Sequence, residues 1–291
     1  MLDTQSPAKT LRTQLSQDEI VIAPGIYDHM SLLMAKRAGF NAFYASGYWN
    51  AASALGEPDV GIAGATDFIT IFARFAEKAG APIIADADTG FGSLTNLDRA
   101  VKAYNRAGIA AMQIEDQGFP KICGHVGKAS SVPAEEMEQR MKVAVEARGD
   151  GDLMIIARTD ARRTEGLDAA IDRLQRYSAA GADIVFLEGP QSEEEIAIAA
   201  KALDKPLLLN AAHGGVTPIL SPQRYQELGA KLVIYPAGAP LSAAHATQEF
   251  YQNLAAGDPN TGHVDMFDFT EMSTALGMDD VVEFQTRHGA A

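Results

Sequence analysis

The sequence predicts an α/β fold, a closed (β/α)8 barrel of the TIM type, and three observations carry that expectation. One punctuation recurs: an amphipathic stretch ends in glycine and a short apolar run follows, at Gly39, Gly80, Gly108, Gly149, Gly181 and Gly229. Glycine accepts the left-handed conformation that ends a helix, and the apolar run then enters a buried strand. The runs are apolar almost throughout, as strands covered on both faces of a parallel sheet are. Eight of them can be counted, at intervals of about 25 to 45 residues, the size of one βα unit.

Taken in order, the runs are VIAPGIY (21–27), AFYAS after Gly39, PIIADAD after Gly80 and AAMQIED after Gly108. LMIIARTD, DIVFLEG, PLLLN (206–210) and KLVIYP follow. Eight units favour a closed barrel over an open doubly wound sheet. No G-x-G-x-x-G opens a helix after the first strand and there is no P-loop, which weakens a dinucleotide-binding reading. We treat residues 1–291 as one barrel domain, with an eighth helix and a C-terminal helical extension over 240–291. Short helical pieces are expected near 270–286, and the extension is expected to serve oligomer contacts.

Composition narrows the function. The 291 residues are 47% hydrophobic and 21% charged, which is globular rather than disordered. A net charge of −14 argues against bulk nucleic-acid binding and against an anionic membrane surface. A single cysteine excludes a disulfide framework. No apolar run reaches the roughly 20 residues of a membrane span, and the N-terminal stretch has no secretory apolar core. A cytoplasmic enzyme is expected.

In such barrels chemistry sits at the C-terminal ends of the strands. Here those ends read Tyr44-Ala45-Ser46-Gly47, Asp86-Ala87-Asp88, Glu115-Asp116, Arg158-Thr159-Asp160, Glu188-Gly189, Asn210 and Tyr235. This is a ring of acids with one arginine opposite. Converging carboxylates repel, and a hard divalent cation with oxygen ligands, Mg2+ or Mn2+, would neutralise them. Asp86 and Asp88, two apart on a strand, are expected to share a face and to meet Glu115. Gly90 and Gly92 read either as a turn that lets backbone approach a ligand or as plain loop glycines. Ser46 and Gly47 offer a hydroxyl and an N–H to a carboxylate, or form an ordinary turn.

The segment FPKICGHVGKASSVP (119–133) is a long loop, the length of a binding loop or lid. It holds the sole cysteine, Cys123, flanked by Lys121 and His125, cations that can lower a thiol pKa. Cys123 reads either as a general acid/base or as an inert loop residue. His213, after the seventh strand, is a further site candidate; His29 and His245 are read as helical.

SGYWNAASALGEPDVG, IIADADTGFGS, IEDQGFPKICGH, PAEEM, IARTDA, LEGP and NAAHGGVTP resemble, in order, the motifs of the isocitrate lyase/phosphoenolpyruvate mutase superfamily, across roughly residues 20 to 255. The resemblance implies a barrel whose eighth helix is swapped between subunits of a homotetramer, and Mg2+ with a small 2-oxo acid or its enolate. It implies a metal site at Asp86, Asp88 and Glu115, with Asp59 nearby through water. Arg158 would hold a substrate carboxylate, and Tyr44, Ser46 and Gly47 its pyruvoyl or glyoxyl end. Asp88, Glu188, Asn210, His213 and Thr217 would line the substrate pocket, and Cys123, Tyr44, His125 and Lys121 would form the catalytic group.

Cys123 resembles the C–C lyase branch acting on substituted malates, of the 2-methylisocitrate and 2,3-dimethylmalate type, which the short chain also fits. Ile122 stands where that branch carries Arg or Lys, and His213 where it carries Glu. Trp49 adds bulk near the mouth, so a smaller or more apolar substrate fits. Oxaloacetate decarboxylation or hydrolysis, phosphonopyruvate chemistry and a non-catalytic binding barrel are the alternatives.

Overall fold

Eight parallel strands close into a barrel in the order of the chain. They are β1 (Val21–Ile26), β2 (Phe43–Ala45), β3 (Ile83–Asp86), β4 (Ala111–Glu115), β5 (Met154–Thr159), β6 (Ile184–Leu187), β7 (Leu207–Asn210) and β8 (Leu232–Tyr235). Each lies inside one of the eight apolar runs. The structure is a computed structural model and describes residues 6–119, 121, 130–259 and 264–289.

α1 (Pro7–Leu15) precedes the barrel and α2 (His29–Arg37) follows β1. After β2 come a short α3 (Gly47–Asn50), a π-helical turn (Ala51–Leu55) and α4 (Ala65–Ala79). α5 (Leu94–Arg106) and α6 (Ala134–Arg148) follow β3 and β4, while α7 (Arg162–Glu165) and α8 (Leu167–Ala179) follow β5. α9 (Glu193–Ala202) and α10 (Pro222–Glu227) follow β6 and β7, and α11 (Gly238–Ala255), α12 (Phe269–Ala275) and α13 (Met278–Arg287) complete the chain. The six glycines that punctuate the sequence all have positive φ, between 55° and 112°. The chain divides into two compact units, Met1–Gly238 and Ala239–Ala291.

Two apolar layers hold the first unit. The strands' outward residues pack on the helices. On α4, Phe68, Phe72 and Phe75 recur at helical spacing and are buried, with successive ring centroids 5.3 and 6.3 Å apart. The inward layer includes Ile84, Met154, Ile156, Phe186, Leu208 and Leu232. The same cluster takes in Ala8, Leu11 and Leu15 of α1, a helix absent from the sequence expectation. Because its partners include Val21, Ala42 and Ala110 at the strand starts, α1 plugs the N-terminal end of the barrel. Leu11 is fully buried there, a burial that contributes about 1.5–3 kcal/mol. Gly25 marks where β1 meets the chain after β8: a Cβ would stand 2.6 Å from Pro236 Cα. With one end plugged, the C-terminal mouth is left for chemistry.

In the second unit Leu241, Tyr251 and Leu254 of α11 are exposed, as are Phe269, Val282 and Phe284 of α12 and α13.

Candidate active site

The mouth is built from strand ends in register. Glu115 on β4 pairs with Arg158 on β5. The arginine is therefore beside the acids and not opposite them, which corrects the expectation. Its Nε and Nη2 donate to Asp160 Oδ2 and Oδ1 at 3.0 and 2.9 Å. Nη2 also lies 3.3 Å from Glu188 Oε2, and Nε 3.5 Å from Glu115 Oε2. The guanidinium sits over the Phe186 ring, 5.0 Å from its centroid. Burial opposes its charge, but Asp160, Glu188 and Glu115 hold Arg158 protonated. Asp160, although buried, is kept below the usual carboxylate range by Arg158. Asn210 Nδ2 donates to Glu188 Oε2 at 3.1 Å, joining β7 to this group.

Asp86 ends β3. Its Oδ2 accepts the Gly47 N–H at 3.1 Å, and its Oδ1 accepts the Asp88 N–H at 3.1 Å and Gln113 Nε2 at 3.2 Å. Tyr44 donates its hydroxyl to Gln113 Oε1 at 3.0 Å and lies 3.5 Å from Asp86 Oδ2. Burial, then the Asp86 charge, pushes the Tyr44 phenol well above its ordinary range, so it stays protonated. The Gly47 N–H is thus engaged by Asp86. Ser46 is buried and its hydroxyl does not cap α3.

Asp88 departs from the strand expectation. β3 stops at Asp86, and Asp88 has φ +48°, the left-handed region that an aspartate tolerates better than most residues. The turn still brings both carboxylates to one place. A Cβ on Gly47 would stand 2.8 Å from Asp86 Oδ2 and 3.3 Å from Asp88 Oδ1.

Lys121 is only 4% exposed and reaches into this acid group. Its Nζ lies 2.6 Å from Asp88 Oδ1 and 2.9 and 3.0 Å from the two oxygens of Asp59. Lys121 and Arg158 therefore neutralise part of the ring from within the chain. Burial pushes Asp59 and Glu115 upward, and Asp88 up to about 7. Thr217 is buried, whereas His213 is exposed, its ring 3.3 Å from where a Gly238 Cβ would stand. Cys123, His125 and Ile122 lie outside the described residues.

One polar member escaped the sequence reading of the site, and a second was read without its role. Gln113 bridges Tyr44 and Asp86; a glutamine inside an apolar strand, two before Glu115, was the available signal. Asp160 was seen as a strand-end acid but not as the partner that orients Arg158.

Among the described residues no three carboxylates converge as a ready-made metal centre. The donor set nevertheless fits a hard cation. Six buried carboxylates (Asp59, Asp86, Asp88, Glu115, Asp160, Glu188) face two buried cations (Lys121, Arg158). Among the described residues, Glu115 Oε1 is buried without a hydrogen-bond partner, and Asp88 Oδ1 meets Lys121 as an ion pair without hydrogen-bond alignment. Oxygen ligands and surplus negative charge suit Mg2+ or Mn2+.

The family model for phosphoenolpyruvate phosphomutase matches residues 11–255. This chain belongs to the PEP mutase/isocitrate lyase superfamily. Within that superfamily it is 40% identical over 279 residues to 2,3-dimethylmalate lyase of Eubacterium barkeri, covering 96% of each chain. An oxaloacetate acetylhydrolase bound to the inhibitor 3,3-difluorooxalacetate superposes with a TM-score of 0.92 at 33% identity, covering 98% of each chain. A phosphonopyruvate hydrolase complex with oxalate and Mg2+ superposes at 0.86 with 26% identity, covering 97% of this chain and 99% of that one. Members of this superfamily are enzymes, and the relatives named here include a C–C lyase. No helix among the described residues is long and apolar enough to cross a membrane.

Proposed function

We propose that this enzyme is a Mg2+-dependent lyase that cleaves a C–C bond of a substituted 2-hydroxy dicarboxylate, of the 2-methylisocitrate or dimethylmalate type. The products are a 2-oxo acid such as pyruvate and a carboxylate. The observation that carries the reading is the likeness to 2,3-dimethylmalate lyase along 96% of both chains. Cys123 in the KICGH stretch supports it from the sequence.

Asp86, Asp88 and Glu115, with Asp59 behind, would hold the metal. When bound, it supplies positive charge where the anion develops. Arg158, oriented by Asp160 and Glu188, receives a substrate carboxylate. Tyr44, kept protonated, donates a hydrogen bond at the oxo-acid end, beside Ser46 and Gly47. Asn210, His213 and Thr217 line the remainder of the pocket. A base takes the substrate's hydroxyl proton, the carbonyl forms, and the C–C electron pair leaves with the departing carboxylate fragment. Cys123 protonates that carbanion, with His125 and Lys121 setting its charge environment.

Hydrolysis or decarboxylation of oxaloacetate is the second reading. The superposition with oxaloacetate acetylhydrolase and the His213 and Ile122 departures favour it. Phosphonopyruvate chemistry is weaker, because Cys123 points to lyases. The eighth helix is read as swapped in a homotetramer: exposed Leu241, Tyr251 and Leu254 on α11 need a partner surface. We place the enzyme in the cytoplasm, with no nucleic-acid or membrane partner.

A 2-oxo-acid release assay over 2-methylisocitrate, 2,3-dimethylmalate, citramalate, isocitrate, oxaloacetate and phosphonopyruvate, with and without EDTA, tests this. Release from a substituted malate that EDTA abolishes is expected. Turnover of oxaloacetate alone would transfer the assignment to the second reading.

A further inference from the structure

Asp116 follows Glu115, has no solvent exposure, and takes no part in the chemistry described above. Among the described residues, the bonds of its carboxylate go to the end of β5 and to α8. Oδ2 accepts the Thr159 hydroxyl at 2.6 Å and the Tyr177 hydroxyl at 2.9 Å, and lies 3.5 Å from Arg173 Nη1. Oδ1 accepts the Asp160 N–H at 3.2 Å. The Thr159 hydroxyl in turn accepts the Ala161 N–H at 3.2 Å. Arg173 is itself fixed, by two bonds to Glu165 at 2.9 and 2.8 Å and one to the Val132 carbonyl at 2.8 Å.

These bonds enclose the tripeptide Arg158-Thr159-Asp160. Its middle hydroxyl and its last N–H are both held by one buried anion, while its outer side chains grip each other through two nearly parallel bonds. A guanidinium is directional: its fork accepts a carboxylate only in its own plane. That plane is set by Asp160, and the Asp160 backbone by Asp116. We infer that Asp116, acting through Thr159, is a positioning residue for Arg158, and that it pre-orients the guanidinium for a substrate carboxylate. The inference rests on the reading of Arg158 as the carboxylate-binding residue. Asp116 touches no substrate. An apolar residue in its place would leave two hydroxyls and an N–H buried without an acceptor, and the turn would open to satisfy them.

The test uses oxalate as probe, its affinity measured by calorimetry in the presence of Mg2+, beside the melting temperature of each variant. Thr159→Val removes the hydroxyl at nearly constant shape, and Thr159→Ser keeps it. Thr159→Val and Asp116→Asn are expected to weaken oxalate on the order of tenfold, and Thr159→Ser to retain wild-type affinity. Leu11→Ala, at the far end of the barrel, is expected to lower the melting temperature without changing oxalate affinity. Oxalate affinity unchanged in Thr159→Val and Asp116→Asn but reduced in Arg158→Lys overturns the positioning role alone. Affinity unchanged in Arg158→Lys as well overturns the carboxylate-binding reading and, with it, this inference.

Discussion

The ammonium of Lys121 lies 2.6 Å from Asp88 Oδ1 and 2.9 Å from Asp59 Oδ1, so one protein cation stands between two carboxylates proposed to serve the metal. All three side chains are nearly excluded from water. A buried charge that loses its partner costs about 3–5 kcal/mol. Lys121→Met should therefore lower the melting temperature of the metal-free protein, and saturating Mg2+ should raise it further in the variant than in wild type. Calorimetric titration should show Mg2+ binding tighter in the variant, because no ammonium competes for the oxygens. A variant indifferent to Mg2+ would show that Lys121 and the metal do not share these ligands.

Protonation of the same group sets a pH dependence. Burial, the largest cause, holds the Asp88 proton to about 7, against an ordinary 3.8. The folded state thus binds this proton more tightly than the unfolded chain. Its contribution to stability is complete below pH 3.8 and is lost as pH rises through about 7, with a slope of about 1.4 kcal/mol per pH unit for one proton. Mg2+ needs the deprotonated carboxylate, so its affinity should rise with pH, by about tenfold per unit for the Asp88 proton alone, over the range up to about pH 7. Mg2+ titrations at several pH values check this; an affinity flat from pH 5.5 to 8 would contradict it.

In the proposed mechanism Cys123 delivers one proton. A lost general acid costs about 10²–10⁴ in rate. Cys123→Ser and Cys123→Ala should reduce kcat for the substituted malate by at least 10²-fold while oxalate affinity holds. If oxaloacetate hydrolysis is the true activity, Cys123→Ala should keep its turnover while Asp88→Ala abolishes it.

Gly47 has no room for a methyl group. A Cβ there would stand 2.8 Å from Asp86 Oδ2, and Gly47→Ala must displace that carboxylate or the start of α3. The expected result is a loss of kcat/KM on the order of 10²-fold, the penalty of misplacing a reacting group by about 1 Å. The melting temperature should change little, since α3 is a four-residue turn at the mouth. Wild-type kcat/KM would remove the Asp86 carboxylate from the site.

The local grammar of the chain settled the architecture: glycine after six of the amphipathic stretches and apolar runs without alternation end helices and bury strands, and the eight strands follow. The strand-end acids and Arg158 were legible for the same reason, since parallel topology places every strand end at one mouth. α1 was not legible, because three apolar residues spaced over a polar stretch gain their meaning only against the open end of a barrel. Nor could spacing alone show that Asp88 leaves the strand through a left-handed turn, that Arg158 sits beside Glu115, or that Lys121 enters the acid group. Those depend on which side chains meet across strands distant in sequence, and in a low-dielectric interior a difference of one or two ångströms decides whether two charges are partners. Sequence periodicity encodes direction and burial; pairing of charges is a property of closed three-dimensional space, and only the folded barrel decided it.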